Sequence, residues 1–450
     1  MAKSSPISPA RLAAFEILLR VEEGAYASIL LNSKEEALDA LDRGLTHELV
    51  MGVLRWQLWL DRLIEYYSAR KASDLDLAIR VILLLGLYQL RFLSRIPDSA
   101  AVNESVNLAK FARLRSAVPF VNAVLRRATR EPEIDPSNGI EDPIERIAVN
   151  TSHPAWLIER WSKAFGPEET EKFARANNEP APVAFRVVTT RADEAAVLEQ
   201  LRQAGAVLAR SKIANGAWRI TGAGSLLSQL VNRGEIYIQD EASQLVAQVL
   251  GAEPGHRVLD LCAAPGSKAT QIADRALDSA SLFAGDLHEH RLRTVVSSAK
   301  LQGLRNIQTV TLNALQPLPF LEGSFDRVLV DAPCSGTGTL RRNPEIRWRI
   351  SPPDIDDLST RQKQLLQNAA RTVKPGGRLV YSTCSVETDE NEDVRLAFLE
   401  NNELFRPVNL EVEPSMTTSS GAVRTWPQKH GTDGFFIAVF YKTERGSAGC

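Results

Sequence analysis

Cysteine is scarce in this chain: four residues in 450, at positions 262, 334, 384 and 450. They form no Cys-x-x-Cys pair and no disulfide framework, so reduced thiols and a cytoplasmic setting are expected, and no metal. Net charge is missing as well. The 53 lysines and arginines stand against 55 acids, so any site for a polyanion has to come from local clustering. No apolar run is long enough to span a bilayer. The most apolar stretch, VILLLGLYQL at 81–90, has half the required length of about 20 residues and is closed by Gln89 and Arg91, which marks a core helix. The N-terminus, MAKSSPISPARLAAFEILL, lacks a basic segment followed by an apolar core and a small-residue cleavage site, so no signal peptide is expected. Repeats and low-complexity tracts are absent too. What is present, 44% hydrophobic and 24% charged residues, is the make-up of an ordinary soluble protein with room for two or three domains.

Apolar residues spaced at three and four in RLAAFEILLRV, LTHELVMGVLRWQLWLDRLIEYYS, DLAIRVILLLGLYQLRFL and AAVNESVNLAKFARL predict helix throughout 9–130. Between Ser105 and Arg130 stand Lys110, Arg113, Arg115, Arg126, Arg127 and Arg130 with no acid among them. This is either a solvated helix face or a phosphate-contacting patch. EPEIDPSNGIEDP (131–143), rich in proline and acid, reads as a linker, and PAWLIERWSKAF and PEETEKFARANN as further helices. Then the period changes. VAFRVVTT, a helix at 193–204, AVLARS, GAWRITG and EIYIQD predict a small α+β module of two to four strands. From Glu241 on, strands alternate with helices, as in a doubly wound sheet.

HRVLDLCAAPGSKATQIADRA (256–276) is a strand, a tight turn of small residues and a helix, a loop that lets backbone N–H groups approach a ligand closely. It lacks GxGxxG and GxxxxGK[ST], which disfavours a dinucleotide and excludes a Walker A loop. Twenty residues past Gly266, LFAGDLHEHRL ends a second strand at Asp286, where an acid binds ribose hydroxyls. A third strand, IQTVTLNA, reaches Asn313, whose amide could bond an adenine edge. The ordered set describes a nucleoside site without a phosphate requirement, and S-adenosylmethionine fits it best.

Two of the four cysteines stand in small polar loops after apolar strands, in RVLVDAPCSGTG and RLVYSTCSVET. Methylating an amine or a hydroxyl needs no thiol. Carbon 5 of cytosine does need one, because it becomes nucleophilic only after a thiolate has added at C6. An acid near N3 assists as charge builds on the ring, and a base must then remove the C5 proton. Asp331, Cys334 and Cys384 could provide these parts. A cysteine at a strand end is more often a small core residue, and Cys262 reads as one. For Cys334 and Cys384, the flanking proline, glycine and serines favour a site.

DLCAAPGSK, DAPCSGTG, RRNPEIRW, PGGRLVYSTCS and DGFFIAVFYK together resemble the RNA cytosine-5 methyltransferases of the Sun/Fmu group, and within it the RsmB family acting on 16S ribosomal RNA. The likeness is collinear over roughly 9–443. It implies an all-α NusB-like RNA-binding domain at 5–130, a linker and helical connector at 131–179, a small α+β ferredoxin- or RRM-like module at 180–236 and a Rossmann-type methyltransferase domain at 237–445. It further implies Cys384 as the nucleophile, Cys334 as the thiol that helps resolve the adduct, and Asp331 as a contact to cytosine and cofactor. The cofactor loop would be Cys262, Ala263, Ala264, Pro265, Gly266, Ser267 and Lys268, with Asp286 on the ribose. QDEAS (239–243) matches the segment that helps close that site.

Two positions depart from the family pattern. Ser267 replaces a glycine, and Asn313 replaces an aspartate, keeping an acceptor oxygen but losing the charge, so cofactor binding is expected to survive. The resemblance also turns the basic residues into expected RNA contacts: Arg113, Arg126 and Arg127 in the helical domain, and Arg341, Arg342 and Arg347 with Arg349 and Trp348 beside the catalytic loop. The expected partner is 16S RNA before subunit assembly, the protein acting as a monomer without DNA or membrane. Two rivals remain open. A DNA cytosine-5 methyltransferase would attack with a Pro-Cys thiol, here Cys334, and would need no second one. An RNA-binding assembly factor would not bind S-adenosylmethionine at all.

Overall fold

In the computed structural model, which describes residues 7–34 and 38–444, the apolar stretch 81–90 lies inside helix Leu77–Phe92, and every residue from Val81 to Gln89 is buried. The Asp76 carboxylate caps its start by accepting from the N–H groups of Ala78 and Ile79. Helices Pro9–Glu22, Ala40–Arg55, Gln57–Ser68, Asp98–Phe111 and Val118–Arg130 join it in one apolar core. Their approach is close where Ala40–Arg55 meets Tyr88: a Cβ on Gly52 would stand 1.9 Å from the Tyr88 ring. Helices Pro143–Thr151, Ala155–Phe165 and Pro167–Ala176 follow, completing a unit that runs to Pro180 and also takes in Leu340–Arg349.

That returning segment explains its own composition. The last carbonyls of a helix have no partner within the helix, and cationic side chains suit that negative end. Arg347, fully buried, donates to the carbonyl oxygens of Ser152 (2.9 Å), Arg55 (3.4 Å) and Asn177 (3.4 Å), which stand at three helix C-termini. It also donates to Asn178 Oδ1 at 2.9 Å. Arg349 donates to Val21 O and Ala25 O, Arg341 to Pro180 O, and Trp348 Nε1 to Leu54 O. The expectation that Arg341 and Arg347 contact RNA is corrected here. Both are buried, and both spend their guanidinium on backbone carbonyls; Arg342 is half-buried. In the 105–130 stretch, Lys110, Arg113, Arg115, Arg126 and Arg130 are exposed, and Arg127 pairs with Glu131 at 3.1 Å.

The second unit, Ala181–Thr339 with the chain from Ile350 on, holds two sheets. The smaller is antiparallel in the order β2-β3-β1-β4, with β1 Val183–Val187, β2 Val207–Arg210, β3 Ala217–Thr221 and β4 Ile236–Ile238. One face (Phe185, Val187, Ile220, Ile236) packs on Val197, Leu198, Leu201 and Leu230 of helices Glu194–Gln203 and Gly224–Asn232. From the alternate positions Arg186 reaches the larger domain. It is buried and donates to Gln239 Oε1 (3.2 Å), Thr270 Oγ1 (3.0 Å) and Gln302 Oε1 (3.1 Å), while Thr189 and Thr190 donate to Asp274. An RNA-reading role for this sheet face, which an RRM-like module would suggest, is closed off at Arg186.

The larger sheet runs β10-β12-β9-β8-β5-β6-β7, with β5 Arg257–Asp260, β6 Ser281–Asp286, β7 Ile307–Thr311, β8 Phe325–Asp331, β9 Val373–Thr383, β10 Phe405–Pro407 and β12 Phe436–Lys442; β11, Val423–Arg424, pairs with β12. Strands β5 to β9 are parallel to their neighbours, and β12 is antiparallel to β9. The order reverses at β5, between β6 on one side and β8 on the other. A crevice therefore opens at the carboxyl ends of β5, β6, β8 and β9. No helix among the described residues is long and apolar enough to cross a membrane.

Candidate active site

β5 delivers Asp260, and the chain then turns through 261–266 into helix Ser267–Arg275. Leu261 N donates to Leu329 O of β8 and Ala263 N to Gly285 O of β6, so the turn is tied to both neighbouring strands. Gly266 makes it possible: its φ is 111°, and a Cβ would come within 3.1 Å of Val295 Cα. Behind the helix, Gln239 donates to Gln271 at 2.9 Å and Gln271 to Gln244 O at 3.2 Å. The QDEAS stretch thus supports the loop from its rear.

Three carboxylates and one ammonium face the crevice. Asp331 joins two elements, accepting from Lys268 Nζ at 2.7 Å and from Ser382 Oγ at 2.7 Å. Burial alone would lower the Lys268 pKa, but the Asp331 charge and hydrogen bond outweigh it and raise the pKa. Asp286 is buried, accepts from His288 N at 3.0 Å and meets Arg291 at 3.3 Å. Asp260 is different. It is buried, its Oδ2 has no hydrogen-bond partner among the described residues, and burial together with the Asp331 charge pushes its carboxyl up to about 7. Asn313 is exposed and turns its Oδ1 to the Leu315 N–H at 3.0 Å, so the acceptor expected for a ligand serves its own loop.

The two loop thiols meet. Cys334 Sγ and Cys384 Sγ lie 3.3 Å apart, both half-buried, with the loops fastened by Gly338 N donating to Cys384 O at 2.9 Å. A Cβ on Gly338 would fall 1.9 Å from Gly434 O, so only glycine allows that approach. Cys334 holds its proton well above the usual thiol range, through its hydrogen bond to Cys384, its burial and the negative charge of Glu390. The Lys268 ammonium, by contrast, interacts with Cys384. Cys262 is held protonated by burial and by Asp260 and Asp331, the behaviour of a core residue. Cys450 lies outside the described residues.

One crevice therefore gathers the 262–268 loop, Asp286, Asp331, Cys334 and Cys384, with Asn313 at the end of the third strand. Arg113, Arg126 and Arg127 belong to the helical unit. Sequence reasoning missed Asp260 and Glu390. Asp260 stands inside VLDLCAAPGSK as the last residue of its strand, a position that could have marked it. Glu390 lies in the acidic run TDENED, which reads as a solvated helix start and gives no sign that one of its carboxylates is buried.

Family profiles match along the chain: the NusB family at residues 8–130, the ferredoxin-like domain of RsmF/B-like methyltransferases at 153–226, and 16S rRNA methyltransferase RsmB/F at 247–441. The chain is 36% identical over 441 residues to "Probable ribosomal RNA small subunit methyltransferase B" of Bacillus subtilis, covering 95% of this chain and 98% of that one. It is 35% identical over 442 residues to ribosomal RNA small subunit methyltransferase B of Pseudomonas putida, covering 96% and 98%. The chain belongs to the ribosomal RNA small subunit methyltransferase B family. Among solved structures, that of PH0851 superposes with a TM-score of 0.83 at 28% identity, over 97% of this chain and 99% of that one. A methyltransferase homolog from Pyrococcus horikoshii gives a TM-score of 0.60 at 29% identity, over 67% and 100%. The resemblance read from the motifs and the three-part fold class are both borne out for this methyltransferase.

Proposed function

We propose that this methyltransferase modifies carbon 5 of a cytosine in 16S ribosomal RNA, with S-adenosylmethionine as donor, through a covalent bond between Cys384 and C6. The observation that carries the reading is the pair of thiols 3.3 Å apart beside the Lys268–Asp331 pair. Amine or hydroxyl methylation has no use for such a pair. The crevice also suits the donor. Its acids outnumber its cations, and the unpartnered Asp260 Oδ2 is a buried acceptor awaiting a cationic or N–H-bearing group. Asp286 would hold the ribose hydroxyls and the 262–268 loop the amino-acid end; bound there, the donor supplies an electrophilic methyl group.

The protein's own part is to activate and then restore the ring. The Cys384 sulfur lone pair forms the S–C6 bond, and the electrons of the C5=C6 bond become available at C5. Asp331 stands where it can accept a hydrogen bond from the cytosine amino group and hold the ring, and the Lys268 ammonium paired to it offsets the negative charge that builds on the ring. Once C5 carries its methyl group, the C5 proton passes to the Cys334 sulfur as that thiol gives up its own proton, which re-forms the double bond and expels Cys384. The protonated thiol of Cys334 is placed to return a proton to the departing sulfur. The site of action is read as the cytoplasm, the substrate as 16S RNA not yet assembled into the subunit, and the active form as a monomer.

The test is a comparison of Cys384→Ala and Cys334→Ala on unmodified 16S RNA with S-adenosylmethionine, scored for methylation and for a denaturant-resistant protein–RNA adduct. Cys384→Ala should give neither, and Cys334→Ala should accumulate adduct with turnover down by about 100-fold or more. A reversed pattern would assign attack to Cys334, as in the DNA enzymes.

A further inference from the structure

Glu390 is a fully buried carboxylate that no step above uses. Three of the four side-chain hydrogen bonds it accepts come from the loops that carry the thiols. Oε1 accepts from Ser335 N at 2.9 Å and from Gln362 Nε2 at 2.9 Å, while Oε2 accepts from Ser335 Oγ and from Ser385 Oγ. Ser335 follows Cys334 and Ser385 follows Cys384. Gln362 also donates to Pro333 O at 2.9 Å, so the residues on both sides of Cys334 are held. The neighbouring Asn391 does the same for Cys384, accepting from Thr383 Oγ1 and donating to Ser385 O at 2.9 Å. Tyr381 at the end of β9 fastens the backbone by donating to Glu390 O.

Packing alone does not call for a carboxylate here. Burying a charge is unfavourable unless it is fully hydrogen-bonded, and a neutral side chain would fill the same space. Only a carboxylate offers two oxygens, each able to accept twice, to donors arriving from both loops. We propose that Glu390 is the positioning residue of the two-thiol centre: its carboxylate locks the Cys334 loop to the Cys384 loop and so sets the spacing and orientation of the two sulfurs. The proposal rests on the covalent reading of the site and adds a residue to it. The same negative charge adds to the Cys384 hydrogen bond and the burial that keep the proton on Cys334.

The experiment uses the full-length protein with S-adenosylmethionine and unmodified 16S RNA. Glu390→Gln keeps the shape but replaces one accepting oxygen with a donor. The expected result is a fall in kcat of about 100-fold, the scale of a reacting group displaced by about 1 Å, with KM for S-adenosylmethionine within about twofold. Alkylation of Cys334 by iodoacetamide should begin at lower pH in the variant, a shift that a merely structural role would not produce. A variant that keeps kcat within about twofold, with an unmoved alkylation profile, would overturn the proposal. Should Glu390→Gln lose its cooperative thermal transition, Ser335→Ala and Ser385→Ala carry the test: each removes side-chain donors while leaving the carboxylate, and kcat should fall about tenfold. Wild-type kcat in both would overturn the proposal. Adduct trapping separates the two ideas. If the wild type and Cys334→Ala both form no adduct, the covalent reading itself fails; if they do form it and Glu390→Gln matches wild type, only the positioning role fails.

Discussion

Two stretches of this chain have the same look and opposite fates. Residues 105–130 and 341–349 are both rich in arginine and interleaved with aromatic residues. In the first, Arg113, Arg126 and Arg130 are exposed on or beside helices whose other faces are buried. In the second, Arg347 is fully buried and Arg341 nearly so, each donating to backbone carbonyls. The contrast shows that a guanidinium cluster answers to whichever acceptors are at hand. The carbonyls of a helix C-terminus attract it for the same reason a phosphate does. What separates Arg347 from Arg113, Arg126 and Arg130 is whether helix ends surround the arginine.

The sharpest way to break this comparison is to remove the buried member. Arg347→Ala leaves the carbonyls of Ser152, Arg55 and Asn177 without that donor and opens a void of side-chain size. Losing a hydrogen-bonded buried charge typically costs about 3–5 kcal/mol. The expected outcome in urea unfolding is a free energy of unfolding lowered by that amount, with any RNA affinity of the remaining folded protein unchanged. A stable variant with weakened RNA binding would return Arg347 to the interface and undo the contrast.

Legibility of the sequence followed the range of the forces involved. Helix periodicity, the glycine turn at 262–268 and the strand-end acids are local patterns. The small module has four strands where two to four are expected, and of the strand-end acids Asp286 and Asp331 are legible while Asp260 is not. The two thiol loops are legible because Cys334 stands between a proline and a Ser-Gly pair, and Cys384 among Ser382, Thr383 and Ser385. What could not be read depended on partners far along the chain. The buried role of Arg347 needs carbonyls from residues 55, 152 and 177, and that of Glu390 needs loops 335 and 385. Asn313 was expected to offer its oxygen outward, but a bond two residues away claims it.

Asp260 sharpens the comparison by supplying a buried charge without the partners that Arg347 enjoys. Its carboxyl titrates near 7 in the folded chain and in the ordinary carboxylate range when unfolded. The folded state thus binds the extra proton between those values, and stability falls as pH rises through that window. At about 1.36 kcal/mol per unit the loss reaches roughly 4 kcal/mol by pH 8. Asp260→Asn removes this titration. In the absence of cofactor the variant should gain stability over wild type by about that amount between pH 4 and pH 8, measured by urea unfolding. Equal pH dependence in the two proteins would mean that Asp260 is solvated or paired in solution.

The exposed member of the pair gives the smallest effect and the most specific signature. Arg126 and Arg130 stand one turn apart on the outer face of helix Val118–Arg130, and both are exposed. If they contact phosphates, the double substitution to alanine should leave stability within about 0.5 kcal/mol. It should also weaken 16S RNA binding by about tenfold at low salt and make the log–log salt dependence shallower by roughly one to two units, because each lost contact releases fewer counterions. Arg127 should matter less than either neighbour, since Glu131 already neutralises part of its charge. Equal losses at all three positions would point to an effect on the helix itself, while an unchanged salt slope would make this stretch a solvated face. In that case neither arginine-rich segment would touch the RNA, and the substrate would have to be held by the methyltransferase unit alone.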